Sequence, residues 1–223
     1  MPTAIDHLLF AGPDLPTLKQ QLEQLSGLAP AGGGRHEGFG THNALLGLDA
    51  DRYLELMAPD PASPSGAFAD AIAYLDGPAL HTYCARVDDL GALCARARAV
   101  GLEATESPGS RVRPDGSLLE WTLTFVTGHP YGGHFPFFID WRGSAHPSAA
   151  LRAGLRLTAL WLEHPDAAGL AKLLREVAGF GGSNVSAAGE LRPLTAVTPR
   201  LRADFTGLRG DFCLGGGGAG MRR

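Results

Sequence analysis

Two polar side chains, His7 and Glu55, lie inside runs that otherwise read largely as buried strands. His7 lies in Ile5-Asp6-His7-Leu8-Leu9 and Glu55 in Tyr53-Leu54-Glu55-Leu56. A neutral imidazole and a carboxylate together suit Zn, Fe, Mn or Ni rather than a soft thiolate site. Neighbouring strands of one sheet can bring both within reach of one ion. The same two residues can equally form a hydrogen-bonded couple in a core, because a buried ionised carboxylate must have a partner. A second cluster is the loop 32–43, which contains Gly32-Gly33-Gly34-Arg35-His36, Gly38 and Gly40-Thr41-His42-Asn43. Its glycines permit positive φ and close backbone approach. Arg35 can fork onto a carboxylate or phosphate of a ligand. His36, Thr41 and Asn43 add further donors, whereas His42 suits a turn within the loop itself. No Lys follows the glycines, which excludes a phosphate-binding Walker loop. A third stretch, residues 128–138, is rich in His and aromatics. Tyr131, His134 and Phe138 there can wall an apolar ligand pocket, and aromatic side chains serve equally well to fill a core. No GxSxG occurs, so a serine nucleophile elbow is excluded. His129, His146 and His164 stand beside prolines and read as surface residues. Trp121, Trp141 and Trp161 read as packing.

The elements that must hold these residues follow a repeat. A β-like run ends at an Asp, and a helical run then ends near a Gly. The runs 5–11, 80–87 and 155–163 are each followed by a helix, over 17–27, 91–101 and 168–179. Asp14, Asp89 and Asp166 stand where a side chain can cap the free N–H groups of each helix. Leu15, Leu18, Leu22 and Leu25 form one apolar stripe, and Leu170, Leu173, Leu174 and Val177 form another. Strand-like runs follow each helix: a short one near 31–36 with 43–48 and 53–57, then 102–105, 117–127 and 134–141, then 190–197, 200–206 and 211–214. The chain thus reads as βαβββ, twice in full and once in worn form. Residues 215–223, rich in Gly, read as a disordered tail.

Of 223 residues, 44% are apolar and 19% charged, with 19 basic against 23 acidic. A net charge of −4 excludes strong attraction to nucleic acid or to an anionic membrane. The N-terminus lacks a signal-peptide pattern, and no apolar stretch is long enough to span a bilayer. Cys84, Cys94 and Cys213 are odd in number without a CxxC pair, which fits reduced packing cysteines of a cytoplasmic protein.

A tandem βαβββ chain carrying Ile5-Asp6-His7-Leu8-Leu9, the glycine-rich loop and Tyr53-Leu54-Glu55-Leu56 resembles the vicinal oxygen chelate superfamily, and within it the glyoxalase-like domain proteins. The likeness covers residues 4–142 well and 150–214 loosely. It implies an α+β fold in which modules 1–77 and 78–148 pair into a half-open, saddle-shaped mixed sheet of eight strands. The helices would lie on its convex face and a metal in its hollow. It also implies ligands on the first and last strands of each module: His7 and Glu55 from the first, His81 and Asp140 from the second. Six residues separate His7 from Asp14-Leu15 and seven separate His81 from Asp89-Leu90. One residue of offset turns a strand side chain over, so either Thr82 takes the ligand place or a bulge restores His81.

The resemblance implies a small-molecule enzyme of lyase, isomerase or dioxygenase type. A divalent metal would chelate neighbouring substrate oxygens as a Lewis acid, with Glu55 as the catalytic carboxylate. The alternative is a metal-free protein that sequesters an apolar ligand in the same hollow. The third unit, residues 149–214, lacks a site. It leaves an uncovered sheet, so a homodimer joined through it is expected, with packing back on its own chain as the competing outcome.

Overall fold

The computed structural model describes residues 3–36, 38–49, 51–64, 66–113, 116–180, 191–215 and 218–221. Its first module comprises β1 (Ala4–Ala11), α1 (Leu15–Ser26), β2 (Arg35–His36), β3 (Thr41–Gly47), β4 (Tyr53–Pro59) and a short helix α2 (Ala67–Ala73). The second comprises β5 (Ala79–Arg86), α3 (Leu90–Ala99), β6 (Glu103–Val112), β7 (Leu118–Thr127) and β8 (Phe137–Asp140). These strands form one mixed sheet in the order β2-β3-β4-β1-β5-β8-β7-β6. Each module therefore pairs its first strand parallel to its last, and the two modules join antiparallel through β1 and β5. The eight-stranded half-barrel expected from the repeat is the observed architecture.

Local chemistry explains the helices. Asp14 accepts the Thr17 N–H at 2.8 Å and Gly27 ends α1 in the left-handed region at φ 76°. Asp89 caps α3 through the Ala92 N–H at 2.8 Å. A cap of this kind contributes about 1 kcal/mol. Leu15, Leu18 and Leu22 of α1 pack on Leu8, Phe10, Leu54 and Leu56, the convex-side residues of β1 and β4. Strand alternation then sends His7, Leu9, Tyr53, Glu55 and Met57 to the concave side. The sequence did not announce α2, which packs Ile72 beneath Leu9 and Met57.

The third unit comprises β9 (Arg156–His164), α4 (Ala167–Leu173) running on as a π-helical turn Leu174–Ala178, then β10 (Leu191–Thr195), β11 (Arg200–Gly207), β12 (Gly210–Gly215) and β13 (Gly218–Met221). Asp166 caps α4 through the Gly169 N–H at 2.9 Å. The elements come in the expected order, but the pairing differs from that of the two full modules. Here β9 takes β10, the first described strand after its helix, as its parallel neighbour, and the sheet runs β10-β9-β11-β12-β13. Residues 218–221, expected within a disordered tail, are a strand on the edge of β12. The ladder gives their backbone groups partners that an isolated glycine run would take from water.

Among its described residues the third unit does not leave an uncovered apolar face, the premise of the expected dimer. Leu157, Leu201, Phe205 and Phe212 belong to the same buried cluster as Phe10, Leu22 and Tyr83. Polar ties fix the docking: the Arg96 Nε–H donates to the Val177 carbonyl at 2.9 Å and the Thr3 hydroxyl to the Ala178 carbonyl at 2.6 Å. The unit is covered by its own chain. No helix among the described residues is long and apolar enough to cross a membrane.

Candidate functional site

The concave face encloses a hollow of about 990 Å³. Its floor is His7 on β1 and Glu55 on β4, with the His7 Nε2 3.4 Å from the Glu55 Oε2. The His7 ring stacks on Tyr53, its cross-strand neighbour, at 4.6 Å between centroids. The register between β1 and β5 jumps from Ile5–Ala85 to His7–Cys84, which makes Asp6 the extra residue of a β-bulge. The bulge turns the Asp6 side chain to the side of its neighbour, and its Oδ1 lies 2.8 Å from the His7 Nδ1. The other carboxylate oxygen accepts the Trp141 indole N–H at 3.0 Å and faces the His146 Nε2 at 3.2 Å. Burial alone would raise the Asp6 pKa; the hydrogen bonds from His146 and His7 outweigh it and hold the carboxyl well below the usual carboxylate range. An ionised Asp6 accepts a hydrogen bond from the His7 Nδ1–H, which holds the ring with its Nε2 turned toward Glu55.

Glu55 is 6% exposed. Its Oε1 accepts the Asn43 side-chain amide at 2.5 Å. The orientation of that amide is set from the loop, since the Gly34 N–H donates to the Asn43 Oδ1 at 2.7 Å. The Asn43 Nδ2 also lies 3.2 Å from the His36 Nε2, and the His36 Nδ1 lies 3.0 Å from the Thr41 hydroxyl. Burial lowers the His36 pKa, opposed by Glu55 and reinforced by Arg111. His36 is thus a neutral ring donating from Nδ1. The loop can lie this close because Gly33, at φ 92°, leaves no Cβ to collide with the Asn43 carbonyl.

The sequence-derived site residues divide into two groups. His7, Glu55, Arg35, His36, Thr41, Asn43 and His81 line the hollow. Tyr131, His134, Phe138 and Asp140 do not. Phe138 is fully buried in the convex-side core, and it is Phe137, one residue earlier, that faces the hollow beside His7. Asp140 shares the Phe138 face and pairs with Arg142 at 3.4 Å. The Tyr131 hydroxyl donates to Asp166 at 2.8 Å and His134 packs on His164 at 5.5 Å, so both join module two to the third unit. The register also answers the question of His81 or Thr82. It jumps from Leu9–Thr82 to Phe10–Leu80, and His81 is the extra residue of a bulge. Both side chains therefore reach the hollow, but His81 packs on Phe68 at 5.8 Å, away from the floor. Arg35 is held by Asp60 at 3.3 Å.

These placements decide how well the floor suits a metal. Of the four expected ligands only His7 and Glu55 meet. The Asn43 amide takes up lone pairs of Glu55 and His36 that an ion would need. Among the described residues no group of three His, Cys, Asp or Glu is disposed to hold a metal ion, and catalytic sites normally offer three protein ligands. The donor set does not fit.

Two features of the site escaped the sequence reading. Asp6 was legible only as the polar neighbour of His7, and its role depends on the bulge. Arg111, on the outer strand β6, carried no signal beyond being the charged member of the half-buried alternate positions 107, 109 and 111. Trp121 and Trp141, read as packing, also line the hollow.

A glyoxalase-like domain profile matches residues 5–178. The chain belongs to the glyoxalase-like domain family. A hypothetical protein from Staphylococcus aureus shares the fold at 13% identity, with 88% of each chain covered and a TM-score of 0.61. Methylmalonyl-CoA epimerase from Mycobacterium tuberculosis aligns at 22% identity over 61% of this chain and 85% of its own, TM-score 0.43. A variant of the Streptomyces coelicolor methylmalonyl-CoA epimerase in complex with 2-nitronate-propionyl-CoA aligns at 23% identity over 62% of this chain and 96% of its own, TM-score 0.44. No curated protein sequence matches this glyoxalase-like chain.

Proposed function

We propose that this glyoxalase-like protein is a small-molecule enzyme of isomerase or lyase type in which Glu55 moves a proton on a substrate held in the hollow. The observation that carries the reading is the buried chain Asp6–His7–Glu55 at the floor of a hollow with a large apolar wall. Glu55 has an oxygen 3.4 Å from the His7 Nε2, so a proton taken from carbon can be shared between the two side chains. Asp6 fixes the ring. The Asn43 amide donor stands beside the carboxylate, where it can turn to an oxygen that gains charge next to the abstracted proton. The expected divalent metal would have polarised that oxygen. The floor supplies only two of the protein ligands that such an ion needs. General-base transfer of this kind contributes about 10²–10⁴-fold.

The test is solvent exchange. The protein is incubated in D2O with a panel of carbonyl compounds bearing an α-hydrogen, and deuterium uptake is followed by NMR. Glu55→Gln keeps the shape and the hydrogen bond from Asn43 but removes the base. Catalysed exchange that falls at least about 10²-fold in this variant supports the reading. A second reading, sequestration of an apolar ligand, is favoured by the Asn43 contact that occupies the carboxylate. Tight binding with no exchange on any compound selects it.

A further inference from the structure

The curled sheet brings its two outer strands, β2 and β6, to face each other across the mouth of the hollow. Arg111 of β6 reaches over: its guanidinium Nη1 stands 2.6 Å from where a Cβ on Gly34 would sit, beside β2. Its positive charge is felt by His36 and Tyr53, which places it on the Glu55 side of the hollow. Arg111 is half-buried, yet among the described residues it makes no hydrogen bond or ion pair. The other arginine at the mouth, Arg35, is already held by Asp60. An unpaired guanidinium at a partly desolvated position lacks a counter-charge, and its fork geometry matches a planar carboxylate. A phosphate dianion would call for more cations than this mouth offers. The wall below is apolar: Trp121 lies over Gly109, which has no Cβ to hold the indole off, with Leu119 and Leu123 on the same strand.

We propose that the hollow takes an organic carboxylate with an apolar body, its carboxylate forked on Arg111 and its body along Trp121, Leu119 and Leu123 toward Glu55. The assignment rests on the same hollow as the proton-transfer reading and names its substrate class, but it is a statement about binding and stands or falls separately. Arg111 is then a specificity-determining residue, and Arg35, the arginine that the sequence favoured, is not.

Trp121 and Trp141 line the hollow, so intrinsic fluorescence reports occupancy. The probes are 4-phenylbutyrate, its neutral amide 4-phenylbutyramide and 3-phenylpropylphosphonate, titrated into the full-length protein. The acid is expected to bind with Kd below about 1 mM and about 10- to 100-fold tighter than the amide, the range of a hydrogen bond to a charged group. The phosphonate should not bind more tightly than the acid. Arg111→Gln should abolish the preference for acid over amide while leaving the amide affinity unchanged, which shows that the hollow is intact. Arg35→Gln should keep the preference. The proposal is overturned if the acid fails to bind, if wild type does not prefer it to the amide, or if Arg111→Gln retains the preference. Acid selectivity lost in Arg111→Gln, with no deuterium exchange on any acid, would uphold this subsite and remove only the proton-transfer reading.

Discussion

Replacing Asp6 by Asn tests whether a buried carboxylate organises the floor. Asp6 is completely buried and meets His7 at 2.8 Å, the Trp141 indole at 3.0 Å and His146 at 3.2 Å. Asn has nearly the same volume, so little cavity forms. It offers one acceptor oxygen to three partners and turns an NH2 toward the rest. A hydrogen bond to an ionised acceptor contributes about 1.5–3 kcal/mol, and a buried donor left unpaired costs about 1–3 kcal/mol. Losing one such bond and orphaning one donor gives an expected destabilisation of about 2.5–6 kcal/mol at pH 7. Urea unfolding followed by tryptophan fluorescence measures it, provided that the slope with urea is unchanged in the variant. The dependence on pH adds a second check. The folded pKa of Asp6 is depressed, so its contribution is complete above the unfolded value of about 3.9 and is lost as pH falls from there through the folded pKa. The gap between wild type and Asp6→Asn should therefore narrow below about pH 4. A difference at pH 7 under about 0.5 kcal/mol, the size of an ordinary surface substitution, would refute the reasoning.

The alternation along β8 predicts opposite outcomes for neighbouring residues. Phe138→Ala should cost about 3–5 kcal/mol in urea unfolding by emptying the convex-side core. Phe137→Ala should cost clearly less and instead weaken fluorescence-detected binding of 4-phenylbutyrate. Gly33→Ala places a Cβ against the Asn43 carbonyl at a positive φ. It should destabilise the fold by about 1–3 kcal/mol and, by lifting the loop from Asn43, lower any Glu55-dependent exchange as well. Unchanged stability on calorimetry would show that the loop does not depend on that close approach.

The two central parts of the fold were legible because each is a local property repeated along the chain. Asp14, Asp89 and Asp166 mark helix starts through hydrogen bonds to residues three positions on. The leucine stripe of α1 declares its buried side, and the duplication of βαβββ carries the pairing of two modules with it. His7 and Glu55 were legible as polar residues on apolar strands, and alternation sends both to one face. Their surroundings were decided elsewhere. Single-residue bulges at Asp6 and His81 turn side chains that strict alternation would assign otherwise, and a bulge depends on how two distant strands slide past each other. The same holds for Phe137 and Phe138, where the sequence offers two aromatics and only the register of β8 against β5 and β7 chooses which one faces the hollow. The expected ligands of the second module failed to converge for this reason, while Asn43 and Arg111 arrived from elements 12 and 56 positions from Glu55. The third unit repeats the element order but not the pairing. Order along the chain is written in propensity and capping, whereas the choice of strand neighbour depends on which apolar face remains uncovered once the first two modules have closed.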